Sequence, residues 1–175
     1  MDKKETTFIH YARKKITKLV NPKKLNIGPK PKALWFGCNE DWSEFVKEEM
    51  DDSIKYSHKY TAILDFSNII ILKTKKDIIS FTNKFVDKEM GRKVGEEFGK
   101  TYKDKKEKET LIKYFETYMI DWEKVKKETK AYGIYIENAR LKSLRTNLAW
   151  YDAIDVCSVA IWDIKAISFI KEEKL

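Results

Sequence analysis

His10 and Tyr11, side by side in the apolar run FIHYA, are the first residues whose chemistry exceeds packing. The two-residue repeat of a strand puts them on opposite faces, so each ring either satisfies itself in a core or meets a ligand. A second stretch, KPKALWFGCNEDW, carries Trp35 and Phe36 on a short apolar strand that breaks at Gly37 and restarts as a helix at Asp41. Such an aromatic pair is either core packing or one wall of a ligand cleft. Near the carboxyl end Trp150, Tyr151, Asp155, Ser158 and Trp162 crowd together. Buried indole N–H and phenol O–H groups need partners, so the interleaved Asp and Ser either supply them or belong to a site.

Several machines are excluded. The sequence has no GxxxxGK[ST] phosphate loop, no GxGxxG after a strand, and no HExxH, HxE…PCxxC or GxSxG. Two histidines, His10 and His58, cannot build a histidine-rich metal centre. A carboxylate-only magnesium site drawn from Asp41, Asp65, Asp121, Asp155 and Asp163 stays open, but no spacing singles these residues out, and no metal is expected.

The elements that must position these residues follow from local pattern. TFIHYA reads as a strand leading to a helical turn in ARKKITKLV, and NPKKLNIGPKPK, which holds all three prolines, reads as a loop. Asn39 and Asp41 are candidate caps for a helix carrying Trp42, Phe45 and Val46 on one face. KYTAILDFSNIIILKT is a hairpin or one long bent strand. KKDIISFTNKFVDKE spaces Ile78, Ile79, Phe81, Phe85 and Val86 as a helix. Residues 91–109 form an exposed polar excursion, and 111–133 one broken helix or two. GIYIE is a strand, ARLKSLRTNLAWYDA is helical or irregular, and DVCSVAIWDI is a buried strand ahead of ISFI. Without regular strand-helix alternation, the expected fold is α+β, a single domain over 1–175 with a mixed, mostly antiparallel sheet flanked by helices.

At 175 residues one core is normal, and 42% hydrophobic with 13% aromatic content suffices to fill it. The formal charge of +8 invites a polyanionic partner. Nearly all of it is lysine, with Arg13, Arg92, Arg140 and Arg145 the only arginines, which fits weak, non-specific contact rather than base readout. Cys38 and Cys157 show no CxxC spacing, so neither a disulfide framework nor a zinc knuckle is expected, and a reducing, cytoplasmic setting follows. No apolar run reaches the ~20 residues of a membrane span, so the expected chain is soluble and intracellular.

The stretches FIHYA, KPKALWFG, IDWEKV, GIYI and WYDAIDVCSVAIWD, spread over most of the chain, resemble a family of uncharacterised phage, bacterial and giant-virus proteins. That likeness implies a viral or phage protein acting inside a cell, a host cell included. The strand order also resembles the ADP-ribosyltransferase fold. That resemblance implies NAD as cofactor, His10 on its ribose, Tyr11 and Trp35 lining the nicotinamide site, Phe36 orienting it, and Glu137 as the transferase carboxylate. An aromatic wall suits a cationic ring, and a carboxylate stabilises the oxocarbenium-like state of glycosidic cleavage. The sequence departs from the pattern at Ala12, at Gly37-Cys38 and at Ile154. Three functions are therefore carried forward: an ADP-ribosyltransferase-like enzyme with a protein or nucleic-acid acceptor; a basic nucleic-acid-binding module using Lys30, Lys32, Arg140 and Arg145 with stacking tryptophans; and a non-catalytic interaction protein. Oligomeric state is not legible.

Overall fold

A computed structural model describes residues 6–49, 55–137 and 148–175. The chain runs through strand β1 (Phe8–Ala12), the short β2 (Ile27–Gly28), β3 (Leu34–Cys38), helix α1 (Asp41–Glu49), β4 (His58–Leu64) and β5 (Ile69–Leu72). Helices α2 (Lys75–Phe85), α3 (Lys88–Phe98) and α4 (Lys105–Phe115) follow, then β6 (Ile120–Asp121), α5 (Trp122–Thr129), β7 (Gly133–Ile136), α6 (Ala149–Asp152), β8 (Ser158–Ile161) and β9 (Ile167–Lys174). Seven strands form one sheet in the order β5-β7-β8-β3-β1-β4-β9, and β2 pairs with β6 apart from it. Only β5 and β7 run parallel in that sheet, so the mixed, mostly antiparallel α+β architecture is as expected.

KYTAILDFSNIIILKT is neither a hairpin nor one bent strand. β4 and β5 stand five strand positions apart, roughly 24 Å in a flat sheet. Leu64 to Ile69 reaches about 17 Å at most. The sheet must curl to let the chain cross, and Phe66 in the connecting turn fills the hollow, its ring 5.3 Å from Phe8 and 5.4 Å from Tyr135. Phe36, Cys38, Ala62 and Val159 complete this inner core. On the outer face Ile78, Phe81 and Phe85 of α2, Trp122 and Val125 of α5 and Trp150 of α6 pack on Leu72, Ile134, Ile136 and Ala160. Thr74 opens α2 with a reciprocal capping box to Asp77.

Two further expectations change, those on residues 13–26 and on the cysteines. Residues 13–26 contain no helical turn. Residues 91–109 belong to the antiparallel hairpin of α3 and α4; added Cβ atoms at Gly91 and Gly95 would lie 2.1 Å from the Phe115 carbonyl oxygen and 2.8 Å from Ile112 Cα, so the missing side chains allow the close crossing. The two cysteines are not independent: Cys38 and Cys157, 119 residues apart, form a disulfide. The strand pairing of β3 with β8 brings them together, which no local spacing reveals, and the reducing setting inferred from unpaired thiols loses its basis. No helix among the described residues is long and apolar enough to cross a membrane.

A crosslink closing a loop this long restricts the unfolded chain, so replacing both cysteines by alanine is expected to cost about 2–4 kcal/mol in urea unfolding. Equal stability of the variant and the wild type under oxidising conditions would show that the bond does not form.

Candidate functional site

The β1–β4 ladder runs the whole length of β1, and the β3–β8 ladder runs from Leu34 to Gly37. Between them, β1 and β3 pair only at Phe8 with Cys38 and Ile9 with Gly37. The sheet therefore splits at its middle while both flanks stay zipped. Beyond the last pair the Trp35 carbonyl, which a continued ladder would occupy with backbone, accepts instead from the imidazole of His10, Nδ1 to O 2.7 Å. Burial holds the His10 pKa below its usual 6.5, so the ring is neutral near pH 7 and donates Nδ1–H. Its ring lies near Phe36 and Tyr60, with centroids 6.0 and 6.2 Å away.

The split opens into a cavity of about 250 Å³. His10, Tyr11, Trp35 and Phe36 all border it. The alternation of the strands gives them different duties: Phe36 belongs to the inner core and His10 packs beside it, whereas Tyr11 and Trp35 face the other way. Trp42 of α1 and Tyr56 add two more rings, Tyr11 and Tyr56 with centroids 5.5 Å apart and the Trp42 indole N–H donating to the Tyr56 hydroxyl at 3.1 Å. With Phe36, five aromatic rings thus border one space. Gly37 lies inside β3, not at its break; an added Cβ would sit 3.0 Å from that of Trp42, so a bare backbone lets α1 close on the strand. The turn itself falls at Asn39, whose φ of 51° is left-handed.

Polar groups reach the cleft from one further segment. Asp155 and Ser158 line it, Ser158 donating to the Val156 carbonyl at 2.9 Å, and the Cys38–Cys157 disulfide staples this segment to the end of β3. Lys30 stands at the mouth, 3.8 Å from Asp155. Behind the ring of Tyr11, its hydroxyl donates to Glu40 at 2.5 Å, and Lys59 reaches the other Glu40 oxygen at 2.6 Å. Lys59 first, then Tyr11, hold the Glu40 carboxyl down at about 2. The Tyr11 ring is thereby fixed from its far end.

Glu137 lies elsewhere. It is exposed just past β7, 3.4 Å from Lys73, and does not border the cavity; among the described residues the carboxylate that lines it is Asp155. Of the carboxyl-terminal aromatics, Trp150 and Trp162 are buried and satisfied, donating to Thr82 Oγ1 at 2.7 Å and to the Ala131 carbonyl at 2.6 Å, and Tyr151 is fully buried. Trp122 is equally buried and donates to the Gly28 carbonyl. Lys32 is exposed and does not line the cavity, and Arg140 and Arg145 lie outside the described residues. Among the described residues no group of three or more His, Cys, Asp or Glu side chains could hold a metal ion. Trp42, Tyr56 and Glu40 escaped the sequence reading because nothing local marks them; Trp42 showed only helix-face periodicity. No protein-family model, curated protein or solved structure matches this chain.

Two of the perturbed groups, His10 and Glu40, act at opposite ends of an acid profile. A depressed His10 pKa contributes stability that is full above 6.5 and drains as pH falls below it; a depressed Glu40 pKa contributes stability that is full above 4.5 and is lost toward 2. His10→Gln should remove the first loss and Glu40→Gln the second when stability is followed against pH. Unchanged acid limbs in both variants would contradict these environments.

Proposed function

We propose that the cleft takes the nicotinamide end of NAD⁺ and that the chain is an ADP-ribosyltransferase-like protein with a protein or nucleic-acid acceptor. The observation that carries this reading is the meeting of Tyr11 and Trp35, with Trp42, Tyr56 and Asp155, around one space. Aromatic faces and a carboxylate attract a flat cation and offer a neutral ring much less. At about 250 Å³ the cavity is smaller than the roughly 300–1,000 Å³ that encloses a whole drug-sized ligand, so it suits one ring with its substituents. The remainder of a dinucleotide would lie outside, toward Lys30 and the exposed Lys32.

Bound NAD⁺ supplies the bond between ribose C1′ and the pyridinium nitrogen; its electron pair departs with neutral nicotinamide, while an acceptor nucleophile bonds to C1′ and loses its proton. Tyr11 and Trp35 hold the ring, His10 keeps the strands apart, and Asp155 in place of Glu137 sets a negative charge beside the developing positive one. The Cys38–Cys157 disulfide favours an oxidising setting, such as a secretory lumen or a virion surface, over the reducing cytoplasm.

The basic-module reading draws on the charge of +8 and the exposed Lys32. Its stacking tryptophans are mostly spent: Trp122, Trp150 and Trp162 are buried in the core.

Thermal unfolding with NAD⁺ at ~100 times its dissociation constant should rise by roughly 5–10 °C, and Trp35→Ala and Asp155→Asn should each abolish the rise. No rise in the wild type, together with oligonucleotide binding that weakens steeply with salt, would replace this reading by the basic module.

A further inference from the structure

Lys30 is held at the aromatic wall of the cavity. Its ammonium is 5.9 Å from the centre of the Trp35 ring and 3.8 Å from Asp155, and it borders the cavity. The loop that carries it is folded back on one side chain: the Asn26 amide donates to the Lys30 carbonyl at 2.9 Å and its oxygen accepts from the Lys32 N–H at 2.7 Å. The Trp35 indole N–H donates to the Pro31 carbonyl at 3.3 Å, tying the same loop to the ring beneath it. Backbone and indole thus both fix the root of Lys30, and only its four-carbon stem is free to move.

We propose that Lys30 is a tethered competitor, the resident cation of the aromatic cleft, which an incoming cationic ring must displace. The proposal rests on the nicotinamide reading for the identity of that ring, but the exchange itself needs only a flat cation. Its electrostatics are balanced: the ligand's charge replaces the ammonium beside Asp155 and over Trp35, while Lys30, whose side chain is already 42% exposed, swings its head into water. A neutral ring of the same shape would have to evict Lys30 with no charge to set in its place beside Asp155 and Trp35, so the cleft selects for charge rather than for outline. The same exchange favours release. Once the glycosidic bond is broken the ring is neutral, its attraction to Trp35 and Asp155 falls, and Lys30 returns.

The test uses 1-methylnicotinamide, a permanent cation without phosphate, and neutral nicotinamide, titrated by calorimetry into the full chain and into Lys30→Met and Lys30→Arg. A cleft free of the ammonium a tenth of the time binds about tenfold more weakly than an open one, so Lys30→Met should tighten 1-methylnicotinamide about tenfold and Lys30→Arg should not. In the wild type, nicotinamide should bind more weakly than its methylated cation. An affinity unchanged or weakened in Lys30→Met, with its unfolding transition intact, overturns the exchange. NAD⁺-dependent stabilisation of the wild type alongside that result would leave the nicotinamide reading standing and remove this proposal alone. Tightened 1-methylnicotinamide without any NAD⁺ effect would do the reverse, and failure of the cation to bind either protein would remove both.

Discussion

Four residues, Asp65 to Asn68, must carry the chain between strands that a flat sheet would hold farther apart than those residues can reach. The curl this imposes sets much of the architecture. A curled sheet has an inside, filled here by Phe8, Phe36, Phe66 and Tyr135, and an outside on which α2, α5 and α6 lay their apolar faces. Strands within such a sheet twist against one another, and the β1–β3 pair, midway along the curl, is where the ladder stops after two residue pairs. Backbone groups freed at a split must find partners. The His10 imidazole satisfies one of them, the Trp35 carbonyl, so the opening costs the fold no orphaned acceptor there.

The cleft inherits its chemistry from that split. Tyr11 and Trp35 sit on the two strands that part, and α1 and Tyr56 close the space from the side. The Cys38–Cys157 bond fixes the segment carrying Asp155 to the end of β3, so a carboxylate and an aromatic wall on different strands hold one spacing. Glu40 anchors Tyr11 from behind while remaining ionised down to about pH 2, which keeps this wall unchanged over the working range of most proteins. Lys30 completes the site from a loop whose conformation Asn26 dictates.

Much of this was readable in the residues, for reasons that differ by element. The α2 helix announces itself through periodicity and the Thr74–Asp77 capping box. FIHYA and KPKALWFG read as strands because alternation and β-branched or aromatic content are local properties, whereas the meeting of their aromatics at one cavity depends on how the two strands pair. What escaped depends on distance along the chain. The disulfide joins residues 119 apart, Glu40 and Lys59 meet across β1, and Trp42 and Tyr56 converge only once β3 and α1 are set. Trp150 and Trp162 misled for the opposite reason: the partners their indoles demand are Thr82 and a backbone carbonyl in the core, not neighbours in a site. Glu137 looked well placed at a strand end, but the strand ends away from the split and its carboxylate meets Lys73.

The five tryptophans divide cleanly, two beside the cleft and three in the core, and this makes one measurement decisive. The indole N–H resonances of a ¹⁵N-labelled sample, assigned by single Trp→Phe variants, would be followed through a titration with NAD⁺. The account predicts that the signals of Trp35 and Trp42 move with a common saturation curve while those of Trp122, Trp150 and Trp162 stay fixed. Five signals indifferent to NAD⁺, or shifts confined to the three core tryptophans, would contradict the claim that the split between β1 and β3 is a nicotinamide site.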